Sequence, residues 1–258
     1  VAPSVVPRSA IEARLESALR GADSDGLALA RETVEAAEDR WYGQLVAGSS
    51  RSLTNRPNTD RVVSAAAAVE LIRGYCRLRS ELLVQLTDRH PHAFTRDEVA
   101  ALLAGDYLST GAYSALEGAD CDCFETATDA LEAVSGAFAA TYAEATEPPP
   151  DRVAFVERTA GRLGEAAGVL GAQLADADER QVDALARAGR CFAAARAVRR
   201  ARDREPGSAM VAVPELRTEG LDERATRRRE EGHRALAALP SSADASPLRR
   251  LGDAQTDE

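Results

Sequence analysis

Lysine is missing from the chain: all 32 basic side chains among its 258 residues are arginine. Aromatic residues make up only 4 %, with one Trp and one Met, so large rings cannot dominate the core. No apolar run approaches the roughly 18 residues that a bilayer-spanning helix needs. Val1 to Arg8 lacks the basic and apolar regions of a signal peptide, so the expected location is the cytoplasm. A surplus of positive charge is also missing. Against 42 Asp and Glu the formal net charge is −10, and the pI near 5.0 excludes a general nucleic-acid binder, which needs a basic face.

Four cysteines do not make a framework. Cys121-Asp122-Cys123 has one intervening residue where zinc sites have two to four, and no second ligand pair follows. The expectation is four free thiols and no metal site. His90-Pro-His92 reads as a solvated turn, and Asp120 and Asp122 read as polar connection. No glycine-rich phosphate loop, nucleophile elbow or His-Glu-x-x-His string occurs.

Hydrophobic residues at 45 % and charged ones at 29 % give a globular balance. An acidic surface, arginine in place of lysine and a core of small aliphatics together resemble a halophile's cytosolic protein, in which salt screens carboxylate repulsion. A GC-rich genome favours the same residues, and both causes stay open.

Helical periodicity runs through nearly the whole chain. It predicts helices at about 9–20, 25–47, 61–86, 96–117, 123–146, 152–174, 178–204 and 222–239. Ser9-Ala-Ile-Glu12 and Thr95-Arg-Asp-Glu98 read as capping boxes. Polar or proline-bearing breakers lie at 49–60, 88–95, 147–151 and 204–207. Ala68, Leu71, Ile72, Tyr75, Leu78, Leu82 and Leu86 form one apolar stripe. Gly161 to Leu174 is rich enough in Ala and Gly for close helix approach. The expected architecture is all-α: one multi-helix bundle domain over 1–240, then a weakly patterned, frayed segment over 241–258.

Several strings carry a resemblance to the trans-isoprenyl (polyprenyl) diphosphate synthases. Ala65-Ala-Ala-Ala-Val-Glu-Leu-Ile72 resembles the start of the helix bearing that family's first aspartate-rich motif. Leu102-Leu-Ala-Gly-Asp-Tyr-Leu108 is similar to its Leu-Ala-Gly-Asp-x-Leu element, the most specific of the matches. Arg158-Thr159 and the small-residue run from Gly161 to Ala172 resemble its Lys-Thr segment and the helix that follows. Ala175 to Val198 resembles the approach to the second motif, and Glu231 to Pro240 a C-terminal Ala-Leu-x-x-Leu-Pro piece. The matches span about residues 10–253 in order.

The resemblance implies an isoprenoid-synthase bundle in which two aspartate clusters, each on one helix face, hold Mg²⁺ against a substrate diphosphate. Carried over, the first motif falls on Ser80, Glu81 and Val84, and the second on Arg200, Ala201 and Arg204. One carboxylate survives in the first, and in the second the sign of charge is reversed. Of the family's Gly-Lys-x-x-Arg cradle, near Asp39 to Gln44, only Arg40 matches. Its Phe-Gln pair is Arg196-Ala197. Tyr75 and Cys76 stand where the family's chain-length pocket has its floor.

A lone glutamate cannot hold a hard, reluctantly dehydrated cation, and arginines would repel it. The resemblance thus implies a homologue without metal-dependent transfer: no catalytic residues, no cofactor, and a role as homodimer or as partner of an active polyprenyl synthase. Glu81 would then pair with Arg200 or Arg204. The alternative is an enzyme in which Arg158, Arg199 and Arg200 replace Mg²⁺ and grip a short prenyl diphosphate. A third reading is an unrelated interaction module on an inherited bundle.

Overall fold

In the computed structural model, residues 6–23, 26–37, 39–54, 57–87, 97–117, 119, 121–142, 151–203, 210–211 and 220–254 are described. Among them lie ten α-helices: α1 (Arg8–Ala18), α2 (Ala28–Glu35), α3 (Trp41–Leu53), α4 (Thr59–Thr87), α5 (Glu98–Leu116), α6 (Cys121–Tyr142), α7 (Arg152–Gln173), α8 (Glu179–Asp203), α9 (Leu221–Leu236) and α10 (Ser246–Asp253). A single 3₁₀ turn, Arg20–Asp23, follows α1. No strand occurs among the described residues. α4 is the central rod, packed by α1, α3 and α5, while α7 bridges α3, α6 and α8.

Small residues set the spacing. In α4, Ala65 to Ala68 are fully buried, and the stripe through Leu71, Ile72 and Leu78 faces the core. The stripe ends one turn earlier than the periodicity suggests, because Leu86 is exposed. Between α7 and α8 the backbones nearly touch. A Cβ on Gly164 would collide with Ala193 and the Gly189 carbonyl, and one on Gly168 with the Leu185 carbonyl. Gly171 meets the Val46 carbonyl of α3 in the same way. The glycine-rich run therefore buys contact area that any side chain would exclude.

Local chemistry fixes the helix starts. Asp151 caps α7 by accepting from Val153 N at 3.0 Å and Ala154 N at 3.1 Å. Asp178 and Gln181 form a reciprocal capping box for α8, at 3.0 and 2.9 Å. Two expected boxes differ. α1 begins after Pro7 with no side-chain cap, and Glu12 instead pairs with Arg8 at 2.7 Å. α5 is capped by Asp97, which accepts from Ala100 N at 2.8 Å; Thr95, like His90, His92 and Asp120, lies outside the described residues.

Two larger corrections concern 25–47 and the tail. The single expected helix is two, split at residues 36–40. Arg40 adopts a left-handed backbone at φ 49°, and its Nη1 donates to the carbonyls of Val34 and Ala37, capping α2 with a cation. No Gly or Pro marks this break. At the other end, 246–253 form α10, and Leu248 is fully buried against Gly48 of α3. Asp244 N donates to the Ser52 carbonyl at 2.8 Å. Cys76 and Cys123 are buried thiols and Cys191 is half-buried.

Candidate functional site: a charged mouth between α3, α4 and α8

The face of α4 beside its apolar stripe is ionic. Glu70, Arg73, Arg77 and Glu81 recur at three and four residues, and all four are buried. Glu70 and Arg73 pair at 3.2 Å. Glu70 also accepts from Gly43 N at 2.9 Å, and Arg73 donates to the Thr33 carbonyl at 3.0 Å, so this pair ties α4 to α2 and α3. One turn and more along, Arg77 Nε donates to Glu81 Oε1 at 2.7 Å. Burying such charges costs desolvation that only close pairing offsets.

The first-motif positions sit on this face. Ser80 is buried and donates to the Arg77 carbonyl at 2.8 Å. Glu81 is only 6 % exposed and pairs with Arg77 of its own helix; of the partners expected for it, Arg204 lies outside the described residues. Val84 is buried. Cys76 is fully buried, which pushes its thiol up to about 12. Tyr75 is half-buried on the side of α4 facing Gly105 of α5, with the Arg79 guanidinium over its ring at 5.4 Å.

The second-motif positions end α8. Arg200 Nη2 donates to Asp39 Oδ2 at 3.0 Å, and Arg196 donates to the same oxygen. Asp39 lies in the break between α2 and α3, where its other oxygen accepts from Trp41 N at 3.3 Å. Arg196 stacks over the Trp41 indole at 5.3 Å. Burial pulls the Arg196 pKa down to about 10 while Asp39 pulls it back, so the guanidinium keeps its charge at neutral pH. Arg199 is half-buried and Ala201 lies in the last turn of α8; Arg204 lies outside the described residues.

Arg158 is elsewhere. It is exposed on α7 and lines a cleft with Glu157, Arg190 and Arg228, so the proposed trio of Arg158, Arg199 and Arg200 is divided between two places. Sequence reasoning gave no role to Trp41 or Arg77, and it placed Asp39 and Arg196 only as positions where the resemblance fails. The i,i+4 spacing of Arg77 and Glu81 was a usable signal; the contact of Asp39 with α8 joins distant segments and left none.

This all-helical arrangement is the fold of the isoprenyl diphosphate synthases. The chain is similar to a geranylgeranyl pyrophosphate synthetase from the archaeon Geoglobus acetivorans, at 17 % identity and TM-score 0.73, over 97 % of this chain and 98 % of that one. It is equally similar to a polyprenyl synthase from Caulobacter crescentus complexed with calcium and isoprenyl diphosphate, at 16 % identity and TM-score 0.73, covering 98 % and 97 %. A deletion mutant of the heterotetrameric geranyl pyrophosphate synthase of mint matches at 15 % identity and TM-score 0.67, covering 95 % and 97 %. No protein-family model matches the sequence, and no curated protein does.

A magnesium cluster, which the resemblance implies for this mouth, does not fit these donors. Glu81 faces Arg77 and Asp39 faces two guanidinium groups. Among the described residues no group of three or more His, Cys, Asp or Glu is placed to hold a metal ion. What these residues form is a guanidinium pair closed on the Asp39 carboxylate, with Arg196 stacked on the Trp41 indole.

Proposed function

We propose that this chain has lost metal-dependent prenyl transfer and acts as a non-catalytic partner or regulatory subunit of an active prenyltransferase. The observation that carries the reading is the double replacement at the mouth. Where the resemblance implies carboxylates for Mg²⁺, Glu81 is matched by Arg77, and Arg200 stands on α8 with Arg196 beside it. The scaffold, in contrast, is kept over nearly the whole chain. A synthase of this fold in mint is heterotetrameric, which supports a partner role for a chain of this kind.

The test is co-expression with the active polyprenyl synthase of the same genome. Co-purification and a changed product length or rate are expected. No association and no effect on the synthase would overturn the subunit role. Assaying the chain by itself with allylic and homoallylic diphosphates should give no product with Mg²⁺. Turnover without Mg²⁺ that is abolished by Arg200→Ala would instead establish the arginine-based enzyme, which the shared Arg196–Arg200 seat favours as second reading.

Among the described residues no helix is long and apolar enough to cross a membrane. We place the chain in the cytoplasm of a cell with high internal salt; its unfolding midpoint should then rise steeply with KCl, and a flat response would remove that assignment.

A further inference from the structure

A second cluster of arginines, set among carboxylates, lies where α7, α8 and α9 meet. A cleft of about 210 Å³ opens there, with Glu157, Arg158, Arg190, Cys191 and Arg228 as its polar wall and two alanines beside them. Three guanidinium groups thus face one carboxylate. That carboxylate is already engaged: Glu157 receives Arg224 at 2.8 and 2.9 Å and Arg228 at 3.2 and 3.1 Å. Arg228 is further held by Glu231 at 2.8 Å, and Arg190 by Glu165 at 3.6 Å. Arg158 has no carboxylate partner among the described residues.

The geometry is that of a preorganised oxyanion seat. Arg228 is held by Glu157 and Glu231, so little of its side-chain freedom is lost when it meets a ligand, while Arg190 makes only a longer contact with Glu165. Arg158 contributes the uncommitted charge. Burial and then Glu231 push the Cys191 thiol upward, so it stays neutral and adds no repulsion. The net field of this acidic chain repels anions, so an anion retained here is retained by the local array. The alanine walls leave room for a short organic group beside a phosphoryl head.

We propose that this cleft, separate from the α3–α8 mouth, binds a small phosphorylated anion, either free phosphate or a phosphate monoester, through Arg158, Arg190 and Arg228. The assignment does not depend on the subunit role proposed above.

Isothermal titration of the full chain with inorganic phosphate and with glycerol phosphate, at fixed ionic strength, tests it. Saturable binding is expected for at least one of them. Arg158→Ala combined with Arg190→Ala should weaken it by about tenfold or more, whereas Arg187→Ala, on the exposed flank of α8 against Asp183, should not. Both altered side chains are largely exposed, and an unchanged unfolding midpoint would show the fold intact. Tighter binding of glycerol phosphate would assign a monoester, and equal binding free phosphate. Absence of saturable heat in the millimolar range, or equal affinity in the double variant, would overturn the site without touching the co-expression result.

Discussion

Along α8 two neighbouring contacts are built on opposite chemistries. Toward α7 the contact is made by glycine, with Gly189 against Gly164 and Leu185 against Gly168, so that backbone lies on backbone. Toward α3 it is made by Arg196 and Arg200 closing on Asp39 and Trp41. The first works through shape, has no tolerance for volume and leaves nothing for chemistry. The second, with the ionic face of α4, works through paired charge and stabilises little net of desolvation. One helix can thus carry a seam set by shape and a contact set by charge.

The largest effect should come from breaking a buried pair on the charged side. Glu70→Ala leaves Arg73 uncompensated and Gly43 N without its acceptor; a loss of about 3–5 kcal/mol is expected in urea unfolding. On the glycine side, Gly189→Ala should cost about 1–3 kcal/mol by overpacking against Gly164. If it proved neutral, the seam would be softer than its geometry. Glu157→Gln, loosening the α7–α9 clasp, should cost about 1–3 kcal/mol at neutral pH.

The same clasp gives a pH dependence. Burial acts to raise the Glu157 pKa, but hydrogen bonds from Arg224 and Arg228 outweigh it and hold the carboxyl below its ordinary value. A carboxyl lowered in the folded state adds stability at pH above its unfolded value of about 4.3, and that contribution is lost as pH falls through the lower folded value. Wild type should therefore lose stability faster than Glu157→Gln below that point, measured by unfolding midpoints across acid pH. The smallest effect is expected where both charges go together: Arg77→Met with Glu81→Leu should fall within about 1 kcal/mol of wild type or exceed it. A loss like that of Glu70→Ala would show the pair to be worth more than its desolvation.

Most of the fold was legible because helix periodicity and small-residue runs are local signals. The extents of α4, α7 and α8 lie within two residues of the expected ones. The α2–α3 break was not legible, because it rests on Arg40 taking a left-handed backbone and folding onto α2 without a Gly or Pro. Nor was α10: its eight residues carry one short apolar pattern, and it is the contact of Leu248 with Gly48 that holds it. At the site, the basic end of α8 could be read directly from Arg199 and Arg200. That Asp39 is a partner of Arg200 could not, since the α2–α3 break is what delivers Asp39 to α8.

Trp41 is the chain's only tryptophan, and its position makes it an intrinsic optical reporter. Its ring carries the Arg196 guanidinium, meets Tyr42 edge-on at 5.1 Å, and donates through Nε1 to the Leu251 carbonyl of α10 at 3.3 Å. Release of α10 and entry of an anion beside Arg196 would each alter the surroundings of one fluorophore, and a red-shifted emission would mark the former by admitting water to the indole.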